Sequence, residues 1–144
     1  MKNNKYYRVY AEINLDAIVK NVDNLMALTK ENTGALAVVK ADGYGHGDVA
    51  VAKAVAQKVT GYAVATLDEA VNLRENGVKK PILVLGYVDP YEFDILVSHE
   101  ITATVFDVET AQLLADAARV QKKQAHCHIK VDTGMRRIGL EPDE

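Results

Sequence analysis

Residues 35–47 read Ala-Leu-Ala-Val-Val-Lys-Ala-Asp-Gly-Tyr-Gly-His-Gly, an apolar run that ends on Lys40 and then breaks into glycines. Positions 35–39 have no polar member. That pattern suits a parallel strand covered on both faces better than a half-solvated antiparallel one. Side chains alternate along a strand, so Lys40 shares a side with Leu36 and Val38 and stands at the carboxyl end of the strand. In parallel α/β architectures that end is where ligands bind and chemistry happens.

Outward from this stretch the chain alternates strand and helix. Residues 9–14 read as a short strand, and 15–30 carry Leu15, Ile18, Val19, Val22, Leu25 and Met26 at amphipathic-helix spacing. After the glycines, Asp48 is placed to cap a helix whose apolar face is Val51, Ala52, Val55, Ala56 and Val59. Tyr62 to Thr66 form a second buried run, and Thr66-Leu-Asp-Glu69 has capping-box spacing for the helix bearing Ala70 and Leu73. Gly77 is suited to end that helix in the left-handed conformation, with Pro81 beyond as a stop. Ile82 to Tyr87 make a third strand, Asp89 and Pro90 open a helical turn, and Thr102 to Phe106 make a fourth strand. Asp107 caps a helix through about Gln121, and Ala125 to Val131 make a fifth strand.

Strand ends at Lys40, Thr66, Tyr87, Phe106 and Val131 lie 26, 21, 19 and 25 residues apart, the spacing of βα units. Right-handed crossovers place all five ends on one side of a parallel sheet. A doubly wound open sheet and a partial barrel both fit this rhythm, and periodicity does not separate them.

Composition narrows the functional classes. The chain has 144 residues, 49% hydrophobic and 26% charged, which is ordinary globular material but short of the about 250 residues of an eight-unit barrel. A net charge of −3 and the lack of a Lys/Arg cluster provide no field for nucleic acid. The lone Cys127 excludes an intramolecular disulfide and a multi-cysteine zinc site, and a reducing cytoplasm is the expected setting. The N-terminus leads into no apolar h-region, and no run approaches 18 apolar residues, so neither a secretory signal nor a membrane partner is expected.

Three places could carry chemistry. Lys40, desolvated at a buried strand end, would be an amine able to form a Schiff base, or else a lysine that simply reaches solvent. Gly43-Tyr44-Gly45-His46-Gly47 allows close backbone approach to a ligand but matches neither dinucleotide nor P-loop spacing. In His126-Cys-His-Ile-Lys130, alternation sets His126, His128 and Lys130 on one side and Cys127, Ile129 and Val131 on the other. Those histidines either face solvent on an edge strand or share a metal, although no third and fourth ligand is evident. Asp132, Thr133 and Gly134 form a turn, and Arg136 and Arg137 follow where a carboxylate or phosphate could be gripped. Cys127, on the apolar side of its strand, reads as a small core residue.

Ala37-Val-Val-Lys-Ala-Asp-Gly-Tyr-Gly-His-Gly47 resembles the pyridoxal-phosphate attachment motif of alanine racemases. Lys130-Val-Asp-Thr-Gly-Met-Arg-Arg-Ile-Gly139 resembles their second signature, and Ala11-Glu-Ile-Asn-Leu-Asp-Ala-Ile-Val-Lys-Asn21 is similar to their N-terminal segment. The resemblance implies a (β/α) barrel of TIM type, incomplete here with about five of eight barrel strands plus the strand at 9–14. That extra strand would pair with a C-terminal β domain absent from residues 1–144. It implies pyridoxal 5'-phosphate carried on Lys40, which would also be the base for one enantiomer. Tyr44 would contact the cofactor phosphate, Arg137 the cofactor's phenolic oxygen and the substrate carboxylate, and Lys130, carbamylated in many members, would support Arg137. The sequence departs from the family pattern at Arg136, where glycine is common. Further implications are a small amino-acid substrate, D-alanine supply to the cell wall, a cytoplasmic homodimer, and little turnover by these residues alone, because the opposite-face base would come from the partner. Two alternatives stand beside this reading: a related fold-type III pyridoxal-phosphate racemase or decarboxylase for another amino acid, and a metal-binding α/β module built on His126 and His128. Unpaired sheet edges would favour self-association.

Overall fold

The computed structural model describes residues 9–141. Helix α1, Leu15–Met26, is capped by the Asn14 side chain, which accepts from the Ala17 amide. Strand β1, Leu36–Val38, runs into α2, Lys40–Gly45, a single turn, and then α3, Asp48–Ala54. Strand β2, Gly61–Val64, leads to α4, Leu67–Glu75, and strand β3 spans Ile82–Val84. A 3-10 turn at Pro90–Glu92 precedes α5, Phe93–Ser98. Strand β4, Thr102–Val105, α6, Val108–Val120, and β5, His126–Ile129, complete the order.

All five strands are parallel and pair in chain order, β1-β2-β3-β4-β5. This order decides between the two architectures left open by periodicity. A doubly wound sheet reverses its strand order at a switch point, whereas a sheet that winds one way keeps every right-handed crossover on one face. The core lies on that helix-bearing face, where Val39, Tyr62, Val64, Ile82, Val84, Ala103 and Val105 are buried against residues such as Ala52, Leu73, Leu96 and Leu114. The opposite face, which a closed barrel turns inward, carries Leu36 and Val38 and, by register, Ala63, Leu83, Thr104 and His128.

Local chemistry explains most of the helix boundaries. Thr66 and Glu69 form a reciprocal capping box at α4, and Asp107 accepts from the Thr110 amide at α6. Asp89 accepts from the Tyr91 amide ahead of Pro90, and Gly77 adopts φ +89 after α4. The Arg74 guanidinium donates to the carbonyls of Val78, Lys80, His99 and Glu100 at 2.8–3.0 Å, tying the loops that enter β3 and β4.

Four expectations need correction. Residues 9–14 form no strand, and Val9 is 90% exposed. Strand β1 is not covered on both faces: Val39 is 2% exposed, but Leu36 and Val38 are 43% and 42% exposed, because all crossovers pack on the other side. The N-cap of α3 is Gly47, not Asp48; Asp42 reaches across to accept from the Asp48 amide instead. Cys127 is exposed, since β5 is an edge strand and α6 packs over β4. Among the described residues, no helix is long and apolar enough to cross a membrane.

Candidate active site

The site begins where β1 stops. Val39 still donates its amide to Ala63 O at 2.9 Å, but its ψ of 22° breaks the extended run, and Lys40 follows at the carboxyl edge of the sheet. Ala41, Asp42, Gly43 and Tyr44 then all adopt left-handed conformations, with φ between 51° and 60°. Three of them have side chains, and each such residue costs about 1 kcal/mol or more relative to right-handed backbone.

Several bonds hold this unusual turn. Gly43 N donates to Val39 O at 2.9 Å, and Gly47 N donates to Asp42 O at 2.9 Å. His46 Nδ1 lies 3.0 Å from Gly43 O and 3.1 Å from Tyr44 O. Both are acceptors, so the ring carries its proton on Nδ1. The remaining clamp comes from α4. Glu69 Oε1 accepts from the Ala41 amide at 2.7 Å while Oε2 accepts from the Ala65 amide at 2.7 Å and the Thr66 amide at 3.3 Å. One carboxylate thus joins the turns that follow two neighbouring strands.

On this platform Lys40 is half-buried and its Nζ lies 6.0 Å from the centre of the Tyr44 ring. Tyr44 itself is 59% exposed. The apolar enclosure expected around Lys40 is therefore open on the face that carries Leu36 and Val38.

The other candidates sit at the far edge of the sheet. Lys130 follows β5, donating its amide to Val105 O at 2.8 Å, and is half-buried. By register His126 and His128 lie on the same face as Thr102 and Thr104, and both are exposed. The next residues fold back so that Val131 bridges Leu140, with Leu140 N donating to Lys130 O at 2.8 Å and Asp132 N to Leu140 O at 2.7 Å. Asp132 Oδ1 accepts from the amides of Arg136 and Gly134, which holds its carboxyl below the usual range. Arg136 takes φ +53, the region where glycine is at home, and Arg137 is exposed beyond it. Among the described residues, no hydrogen bond or ion pair joins Lys40, Tyr44, Lys130 and Arg137 to one another. Lys40 and Tyr44 follow β1 and Lys130 and Arg137 follow β5, so the two pairs share the carboxyl edge but are separated by the width of the sheet.

The metal alternative loses ground here. Among the described residues, no three of His, Cys, Asp and Glu gather where they could hold an ion. A cleft of about 600 Å³ does border His126 and His128, but it lies at the amino-terminal ends of β4 and β5 beside Arg74 and Thr102, away from Lys40.

A one-way parallel sheet with an amine, a phenol and a guanidinium along its carboxyl rim defines a segment of a TIM-type α/β barrel with a rim site. The chain belongs to the alanine racemase N-terminal domain family, which it matches over residues 13–144. It is 43% identical over 145 residues to alanine racemase 1 of Oceanobacillus iheyensis, covering all of this chain and 39% of that relative. Its structure superposes on an alanine racemase of Clostridium difficile 630 with a TM-score of 0.94 at 42% identity, covering 98% of this chain and 37% of the other. A histidine racemase from Leuconostoc mesenteroides is also similar, with a TM-score of 0.81 and 30% identity over 88% of this chain and 34% of that one. The chain thus spans about two fifths of the length of the curated relative it matches.

Sequence reasoning assigned Glu69 a role at the helix start and missed its bond to Ala41. The available signal was that parallel pairing of consecutive strands sets the ends of β1 and β2 side by side, within reach of the second oxygen of a capping glutamate.

Proposed function

We propose that the protein is a pyridoxal-phosphate-dependent alanine racemase in which residues 1–144 are the N-terminal part of the cofactor-binding barrel. The observation that carries this reading is Lys40 on the carboxyl edge of a one-way parallel sheet, within the attachment motif and in a chain that aligns along its whole length with alanine racemases. The donor set fits the cofactor's chemistry: a primary amine for an aldehyde, a phenol for a phosphate, and a guanidinium for a phenolate or carboxylate. When bound, pyridoxal phosphate supplies the electron sink that makes an amino acid's Cα–H acidic enough to remove.

The chain's own residues then divide the work. Lys40 Nζ would hold the cofactor through its amine and would take or return the α-proton on one face. Tyr44 donates its hydroxyl to the phosphate. Arg137, supported by Lys130, orients the carboxylate. Racemisation needs a second proton carrier on the opposite face, a role that the family resemblance assigns to the partner subunit. The homodimer, the cytoplasmic setting and the supply of D-alanine to the cell wall rest on the family resemblance and belong to the same proposal.

A second reading, a racemase of another amino acid on the same fold, is favoured by the likeness to a histidine racemase. Both are tested by incubating the protein with pyridoxal phosphate in deuterium oxide and following the Cα proton by NMR. Faster exchange from D-alanine than from D-histidine, lost in Lys40→Ala, supports the alanine reading. The reverse preference supports the second. Exchange no faster than with free pyridoxal phosphate overturns both.

A further inference from the structure

Glu69 lies on α4, outside every motif that carries the resemblance, yet its carboxylate takes the amide of the residue after Lys40. We propose that Glu69 is a positioning residue for Lys40, fixing the lysine's Cα–Cβ direction by clamping the Lys40–Ala41 peptide plane to the end of β2. The proposal rests on the reading of Lys40 as the cofactor-bearing amine and assigns Glu69 a task distinct from helix capping.

The geometry supports this in three ways. First, the N–H that Glu69 Oε1 accepts at 2.7 Å belongs to the peptide group whose rotation is ψ of Lys40 and φ of Ala41, so the bond fixes both torsions. Second, Ala41 opens a run of four left-handed residues, a backbone state that persists only where surrounding bonds over-determine it. Without the clamp, Ala41 can relax toward right-handed backbone, and a lysine's four-carbon chain carries that rotation into a displacement of Nζ. Third, Oε2 is held separately, by the amides of Ala65 at 2.7 Å and Thr66 at 3.3 Å. The carboxylate is thereby anchored to β2, and the turn after β1 inherits the position of its neighbouring strand. No ion pair joins Glu69 to the Lys40 ammonium among the described residues, so the action runs through the backbone.

The capping box provides its own control. Thr66 Oγ1 accepts from the Glu69 amide at 3.4 Å, so Thr66→Ala weakens the same helix start without touching the bond to Ala41. The test measures two things on the protein and on Glu69→Ala, Glu69→Gln and Thr66→Ala: the exchange rate of the Ala41 amide, and the rate at which pyridoxal phosphate and borohydride modify Lys40, read by peptide mass. Glu69→Ala should lose Ala41 protection and slow Lys40 modification by about tenfold, as expected when a reacting group is misplaced by a fraction of an ångström or more. Glu69→Gln keeps one acceptor oxygen and should fall between. Thr66→Ala should leave both readouts within about twofold of the parent, since its contact is separate from the clamp. Equal losses in Thr66→Ala and Glu69→Ala, or modification unchanged in Glu69→Ala, would overturn the positioning role. A parent protein that is not modified at Lys40 at all would overturn the reading of Lys40 and the positioning role with it.

Discussion

Replacing Arg136 by glycine should stabilise the loop that follows β5. Arg136 holds φ +53, and its side chain makes no hydrogen bond or ion pair among the described residues, so the substitution removes a conformational cost and little else. A left-handed non-glycine residue costs about 1–2 kcal/mol. Glycine's greater freedom in the unfolded chain takes back about 0.4–1 kcal/mol, leaving a net gain of about 0.5–1 kcal/mol. The amides of Asp132 and Leu140 close this loop against Leu140 O and Lys130 O, so their hydrogen exchange reads its opening directly. Exchange at both should slow by about two- to fivefold. Gly134 provides the opposite sign. It sits at φ +127 with nothing within 4 Å of the position a Cβ would take, so Gly134→Ala adds backbone strain without a clash. That variant should speed exchange, by an opening cost on the order of 1–3 kcal/mol. Faster or unchanged exchange in Arg136→Gly would refute the idea that Arg136 strains this loop.

Two further outcomes follow from other parts of the molecule. Arg74→Met removes four guanidinium bonds to loop carbonyls and should lower the urea unfolding free energy by about 2–4 kcal/mol, a loss that Lys, with a single ammonium, should not restore. The Asp132 carboxyl is held low by the amides of Arg136 and Gly134. A depressed carboxyl contributes its full stabilisation above its unfolded value, near 3.9, and loses it as pH falls through the folded value. Loop protection at Leu140 should therefore be flat through neutral pH, fall below about pH 4, and lose that acid dependence in Asp132→Asn.

The sheet and its order of helices were legible because apolar runs, caps and stops agree with one another. Thr66 and Glu69, Gly77, Asp89 with Pro90, and Asp107 all do what their chemistry predicts. Covering was harder to read. An apolar run such as Leu36 to Val39 does not reveal whether both faces are packed, and the one-way strand order leaves one of them open. Residues 9–14 alternate like a strand, but alternation alone does not make one. Cys127 alternates like a core residue, yet its strand lies at an edge.

At the candidate site the residues stand out in the sequence, whereas their backbone conformation does not. Three glycines around Tyr44 suggested close approach to a ligand, whereas the left-handed run also takes in Ala41, Asp42 and Tyr44 itself, residue types that give little local hint of it. Glu69, read only as a capping residue, holds this run in place together with the side chains of Asp42 and His46. Glu69 and its partner Ala41 lie 28 positions apart, a contact that the pairing of β1 with β2 makes near.

The central claim is that Lys40 is the cofactor anchor, and peptide mapping after pyridoxal phosphate binding and borohydride reduction tests it most directly. The account predicts one stoichiometric modification, on the peptide containing Lys40 and absent in Lys40→Ala. Modification spread evenly over surface lysines such as Lys53 and Lys58, with Lys40 no more reactive than they are, would contradict it.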